Sequence, residues 1–105
     1  LPFWLSPTQV VIATITSDTD EYAKEVKTTL QKLGINSEVD IRNEKIGYKI
    51  REHSNSKIPI ILVVGKKEYQ DKTVSVRRLG KTSTEVINLE EIKLILKKES
   101  LSPIE

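Results

Sequence analysis

The chain has 105 residues, 37% hydrophobic and 30% charged, with a formal net charge of +2 and no cysteine. That suffices for one domain around one core, and it excludes a disordered polyelectrolyte, disulfides and thiolate metal sites. No apolar run reaches the roughly 18 to 20 residues of a membrane span, and the missing cysteines fit a cytoplasmic protein.

Residues 1–15 are apolar, but Pro2, Ser6, Pro7 and Gln9 interrupt them and no basic start precedes them, so they do not form a signal peptide. The chain opens without Met, as an excised piece would. Residues 1–8 are expected to be a linker from a preceding domain, 9–98 the folded domain and 99–105 a frayed tail. Residues 9–15 are continuous and β-branched, which predicts a strand buried on both faces. Ser17 or Asp18 then caps a helix, with Asp18 and Glu21 spaced as a capping box. Tyr22, Ala23, Val26, Leu30 and Leu33 form its stripe, and Gly34 supplies the stop. Residues 35–41 predict a second, more exposed strand.

A second helix is expected over residues 44–54, with a thin core stripe of Ile46 and Ile50. Residues 58–64 are the most hydrophobic segment and predict a central strand, with Pro59 at its first residues and Gly65 ending it. Residues 73–79 alternate, Val74 and Val76 against Ser75 and Arg77, as a strand with one wet face does. Gly80-Lys81-Thr82 turns the chain into a short strand over 85–88. Asn88 and Glu91 cap a last helix carrying Leu89, Ile92, Ile95 and Leu96, with Lys97 and Lys98 at its negative end. The order β-α-β-α-β-β-β-α predicts an α/β fold, a three-layer α/β/α sandwich. Its first three strands are parallel, joined by right-handed crossovers, with a hairpin at the edge.

Catalytic and nucleotide motifs fail on inspection. Gly80-Lys81-Thr82 lacks the glycine that a P-loop needs five residues earlier, and it joins two strands. Gly65-Lys66-Lys67 fails the same test, and no Gly-x-Gly-x-x-Gly follows the first strand, so a flavodoxin-like or dinucleotide-binding reading has little support. His53 is the only histidine; zinc there would need carboxylates alone as partners. Ser17, Ser54 and Ser56 lie in no nucleophile elbow. Asp18, Asp20 and Glu21 suit a helix start.

Charge is distributed unevenly. Residues 42–82 hold eleven Lys or Arg against four Asp or Glu, a net of +7, while the remainder nets −5. The pattern is either a solvated face or a surface for a polyanion, and unpaired RNA is the leading candidate. Arg42, Lys45, Lys49 and Arg51 crowd the junction between the second strand and its helix, where free N–H groups already favour anions. Ligands of open α/β sheets gather outside the strand carboxyl ends, so Asn43, Lys45 and Glu68 should share a rim there. Asn43 matches a uracil imide, and an arginine forks onto guanine or phosphate. Arg77 should leave the wet face of its strand and Arg78 the other. Glu68 is either a surface ion-pair partner or an acceptor for a guanine edge. Gly47, inside a helix, marks either close packing on the sheet or the approach of a ligand.

The run Asp40-x-Arg42-Asn43-Glu44-Lys45-Ile46-Gly47-x-Lys49-Ile50-Arg51-Glu52-His53 resembles the C-terminal anticodon-binding domains of class II aminoacyl-tRNA synthetases. Related synthetases for His, Pro or Gly share much of it. Val74-x-Val76-Arg77 matches as well, and the leading Pro2-Phe3-Trp4-Leu5-Ser6-Pro7-x-Gln9-Val10 narrows the resemblance to the threonyl branch. The resemblance covers roughly residues 2–98 and implies a five-stranded mixed sheet with one antiparallel strand and helices on both faces. It implies anticodon contacts from Asn43, Lys45, Arg51, Lys57, Glu68 and Arg77, and the anticodon stem-loop of tRNA(Thr) as partner. The family position matching Lys57 is often Arg, whose bidentate fork a Lys lacks. The resemblance further implies a role in protein biosynthesis, with ATP, Mg, Zn and threonine handled in a catalytic domain outside this chain. No cofactor is then expected here, and no membrane. The full-length enzyme would be a homodimer and the isolated domain a monomer.

Overall fold

The computed structural model describes residues 8–42, 44–79 and 84–100. In chain order the elements are β1 (Val10–Thr14), a 3-10 turn (Ser17–Thr19), α1 (Asp20–Lys32), β2 (Ser37–Asp40), α2 (Ile46–Asn55) and β3 (Ile60–Val64). They continue with α3 (Lys66–Asp71), β4 (Thr73–Arg78), β5 (Glu85–Asn88) and α4 (Leu89–Ser100). One five-stranded sheet has the order β2-β1-β3-β4-β5. β1 pairs in parallel with β2 and β3, while β4 runs antiparallel to both β3 and β5. β4 is therefore the one reversed strand, and the expected three-layer mixed-sheet architecture is the one observed.

Strand alternation divides the core in two. Val10 and Ile12 of β1, Ile60, Leu62 and Val64 of β3, and Val74 and Val76 of β4 face one side. There they meet Tyr22, Ala23, Val26 and Leu30 of α1 and Ile92 and Leu96 of α4, all at most 4% exposed. Ala13, Ile61 and Val63 face the other side, where α2 sets down only Ile46 and Ile50. The thin stripe read in α2 is real, so this layer is held by little apolar area.

Polar anchors supplement it. Lys49, 1% exposed, donates from Nζ to the Thr14 carbonyl at 2.9 Å, the Asp40 carbonyl at 3.2 Å and Thr14 Oγ1 at 3.3 Å. It ties α2 to the carboxyl ends of β1 and β2. The sequence reading counted Lys49 among surface cations; the structure corrects this. Position 49 lies one turn from Lys45 on the buried side, and the carbonyls where two strands end need a donor.

Three further expectations are corrected. The capping box of Asp18 and Glu21 does not form. The chain enters α1 through the 3-10 turn, neither N-terminus has a side-chain cap, and Thr19 Oγ1 donates to the Thr16 carbonyl instead. At α4, Asn88 does cap, accepting from the Glu90 N–H at 2.8 Å. Residues 66–71, to which the sequence pattern assigns no element, form α3. Gly65 starts it, Glu68 Oε1 accepts from the Gly65 N–H at 2.8 Å, and Lys72 closes it in the left-handed region at φ 56°. Tyr69 of α3 packs edge-on against Tyr22, with the Lys72 ammonium over both rings. Tyr22 donates to the Thr73 carbonyl, and burial pushes its phenol up to about 12. The strands over 35–41 and 58–64 are shorter than expected, at Ser37–Asp40 and Ile60–Val64. The turn at Gly80-Lys81-Thr82 and the segment around Trp4 lie outside the described residues.

Candidate nucleic-acid interface

α2 lies across the sheet face that carries Ala13, Ile61 and Val63. Arg77 pairs opposite Ile61 and Ser75 opposite Val63, so both project onto this same face, beyond the cover of α2. A groove opens between α2 and β4, lined by Gly47, Ile50, Arg51, Ser54, Asn55 and Arg77. A second hollow on the outer flank of α2 is lined by Lys45, Gly47, Tyr48, Arg51 and Asn55, among others. Arg51, Gly47 and Asn55 belong to both.

The structure thus brings Lys45, Arg51 and Arg77 to one side of the sheet. Glu68 joins them from the top of β3, its Oε2 accepting from Ser75 Oγ at 3.1 Å, on the same face as Arg77. Lys57 follows the last turn of α2 with its N–H on the Ser54 carbonyl, in the left-handed region at φ 64°. Asn43 lies outside the described residues. The rim expected at the strand carboxyl ends accommodates Lys45 and Glu68, while Arg77, opposite Ile61 near the amino end of β3, lies further along the same face. Because β4 is reversed and α2 runs back along the sheet, the residues are strung along a groove that follows the strands.

Arg42, also counted as a surface cation, is engaged internally. Its Nε and Nη2 donate to the two Asp40 carboxylate oxygens at 2.9 and 2.8 Å, and Nη2 also pairs with Glu52. His53 Nε2 lies 2.7 Å from Asp40 Oδ2. Asp40, Glu52 and His53 are the metal-ligating type of cluster among the described residues, but the Arg42 guanidinium already supplies the positive charge they face. Hydrogen bonds from Arg42, then one from His53, hold the Asp40 carboxyl far below the usual carboxylate range, against the opposing effect of burial. Arg42 likewise lowers Glu52.

A depressed carboxylate contributes stability that is present above its ordinary pKa and lost as pH falls through its folded value. Asp40→Asn should therefore be less stable than the parent at neutral pH, and the gap should narrow as pH falls from about 5 to about 2. Urea melts across that range measure it; a gap independent of pH would show that ionised Asp40 is not what holds Arg42 and His53.

A model of the family described as "Anticodon binding domain" matches residues 9–99. This chain belongs to that family. Among similar proteins, the threonine–tRNA ligase of Caulobacter vibrioides (strain NA1000 / CB15N) is 55% identical over 103 residues, which are 98% of this chain and 16% of that protein. That of Dinoroseobacter shibae is 50% identical over 103 residues, with the same coverage. The chain thus spans about a sixth of the length of these relatives. The solved RNA-binding domain of threonyl-tRNA synthetase from Cryptosporidium parvum Iowa II superposes with a TM-score of 0.89 at 34% identity, covering 94% of this chain and 25% of that one. A prolyl-tRNA synthetase of the same parasite shares the fold at TM-score 0.85, but only 22% identity over 95% of this chain and 22% of that one. The anticodon-binding domain described here therefore sits with the threonyl branch, as Trp4 and its neighbours indicated.

Proposed function

We propose that this domain binds the anticodon loop of tRNA(Thr) along the groove between α2 and β4, within a full-length threonine–tRNA ligase. The observation that carries the reading is the convergence of Arg51 and Arg77 on one groove, with Lys45 on the adjoining flank of α2 and Glu68 tied to the same face. Guanidinium forks suit base edges and phosphates, an ammonium suits phosphate, and a carboxylate suits guanine donors. Asn43, just before α2, and Lys57, just after it, would complete the set. Homology to threonine–tRNA ligases supports the choice of tRNA.

In this reading the chain binds and positions but does not catalyse. Threonine, ATP, Mg and Zn belong to the rest of the ligase, which acts in cytoplasmic translation as a homodimer, while the isolated domain is a monomer. Among the described residues, no helix is long and apolar enough to cross a membrane.

Binding of labelled anticodon stem-loops tests the proposal. The threonine loop should bind more tightly than the histidine loop; equal affinities would end the threonine assignment. Lys45→Ala should lower the slope of log affinity against log salt by about 0.7, the value for one phosphate contact on a single strand. An unchanged slope would remove Lys45 from the phosphate contacts.

A further inference from the structure

Among the described residues, nothing requires Gly47 to be glycine. Its backbone is helical, outside the positive-φ region in which Gly34 sits at 84°. A Cβ built on it meets no described atom within 4 Å, so it is not there to let α2 approach the sheet. It is exposed, and a glycine in a helix is less favourable than alanine. The expectation of close packing is thus overturned, and the alternative, an approach from outside, is left.

Its position says what approaches. Gly47 is common to the groove that holds Arg51 and Arg77 and to the hollow that holds Lys45 and Arg51. A flat group lying between those two sets of cations would pass directly over it. We infer that Gly47 is a bare backbone platform on which an unstacked nucleoside, its base or ribose, rests in van der Waals contact, so that a Cβ there would exclude it. This rests on the RNA-binding reading above and adds a positioning residue that carries no functional group. Arg51, one helical turn further on, would then fork onto the edge of the base seated there.

The test is Gly47→Ala, with Gly47→Leu as the larger obstacle. Both should raise the melting temperature by a few degrees, about 2 to 6 °C, because an exposed helical glycine is replaced and nothing is displaced. Affinity for the threonine anticodon stem-loop should fall roughly 5-fold or more for Ala and further for Leu, with the salt slope unchanged, since no phosphate contact is removed. A lower melting temperature would show a packing role and overturn the inference. Binding as tight as wild type would overturn it too, while leaving the RNA-binding reading intact. Failure of the wild-type domain to bind any stem-loop, under conditions where the full-length ligase binds, would instead overturn the reading itself, and the platform with it.

Discussion

Lys49→Met should lower the unfolding free energy by about 3 to 5 kcal/mol, the largest effect expected of any single substitution here. The side chain is nearly fully buried and donates to two main-chain carbonyls and one hydroxyl where β1 and β2 end. Met fills most of the same volume, so the loss measures the missing ammonium hydrogen bonds rather than a cavity, although the Asp40 carbonyl keeps the Thr14 hydroxyl as a donor at 3.4 Å. Each buried unsatisfied group costs about 1 to 3 kcal/mol, and a domain of this size has only about 5 to 15 in hand. Urea denaturation decides it. A loss below about 1 kcal/mol would mean that water replaces the ammonium at little cost and that Ile46, Ile50 and the contacts of Glu52 with Arg42 and of His53 with Asp40 suffice to hold α2.

The second large effect is at Glu68, where two roles overlap. Its Oε1 caps α3 through the Gly65 N–H and its Oε2 accepts from Ser75. Each carboxylate oxygen has a further lone pair with which to receive the N1–H and N2–H of a guanine. Glu68→Ala should lose about 1 kcal/mol of stability with the cap. It should also lose about 1 to 3 kcal/mol of anticodon affinity, the scale of one good base contact. Glu68→Gln separates the roles. An amide oxygen still caps Gly65, and Ser75 Oγ can accept from the amide N–H, so stability should stay within about 0.5 kcal/mol. Yet an amide presents donors to guanine donors, so preference for G over A should collapse. If the Gln variant keeps wild-type preference, Glu68 belongs to the helix and not to the reading surface.

The fold was legible where periodicity is strong. β1 and β3 are continuous β-branched runs, α1 carries a full stripe, and β4 alternates cleanly; all four occupy about the places expected. α3 was missed because six residues with one aromatic show no helical period. Its signal was subtler, a Gly65-x-x-Glu68 spacing in which the glutamate reaches back to the first free N–H. The site was legible as residues but not as a shape. Arg42 and Lys49 match a polyanion surface by type, and nothing in a linear pattern tells a cation aimed at a ligand from one aimed at Asp40 or at strand-end carbonyls. Likewise the sequence presents Gly47 as ambiguous between packing and approach, and only the empty space above it decides.

The fastening of α2 has a mechanical consequence. Greasy contacts at Ile46 and Ile50 would tolerate rolling of the helix about its axis. Lys49 reaching down to β1 and β2, Glu52 gripping Arg42, and His53 meeting Asp40 are directional, and they bear on consecutive turns. Together they key the cylinder at one azimuth. The face of α2 that carries Arg51 is therefore turned toward the groove before any nucleotide arrives, and an incoming loop has only side-chain torsions, not the rotation of the helix, to freeze out.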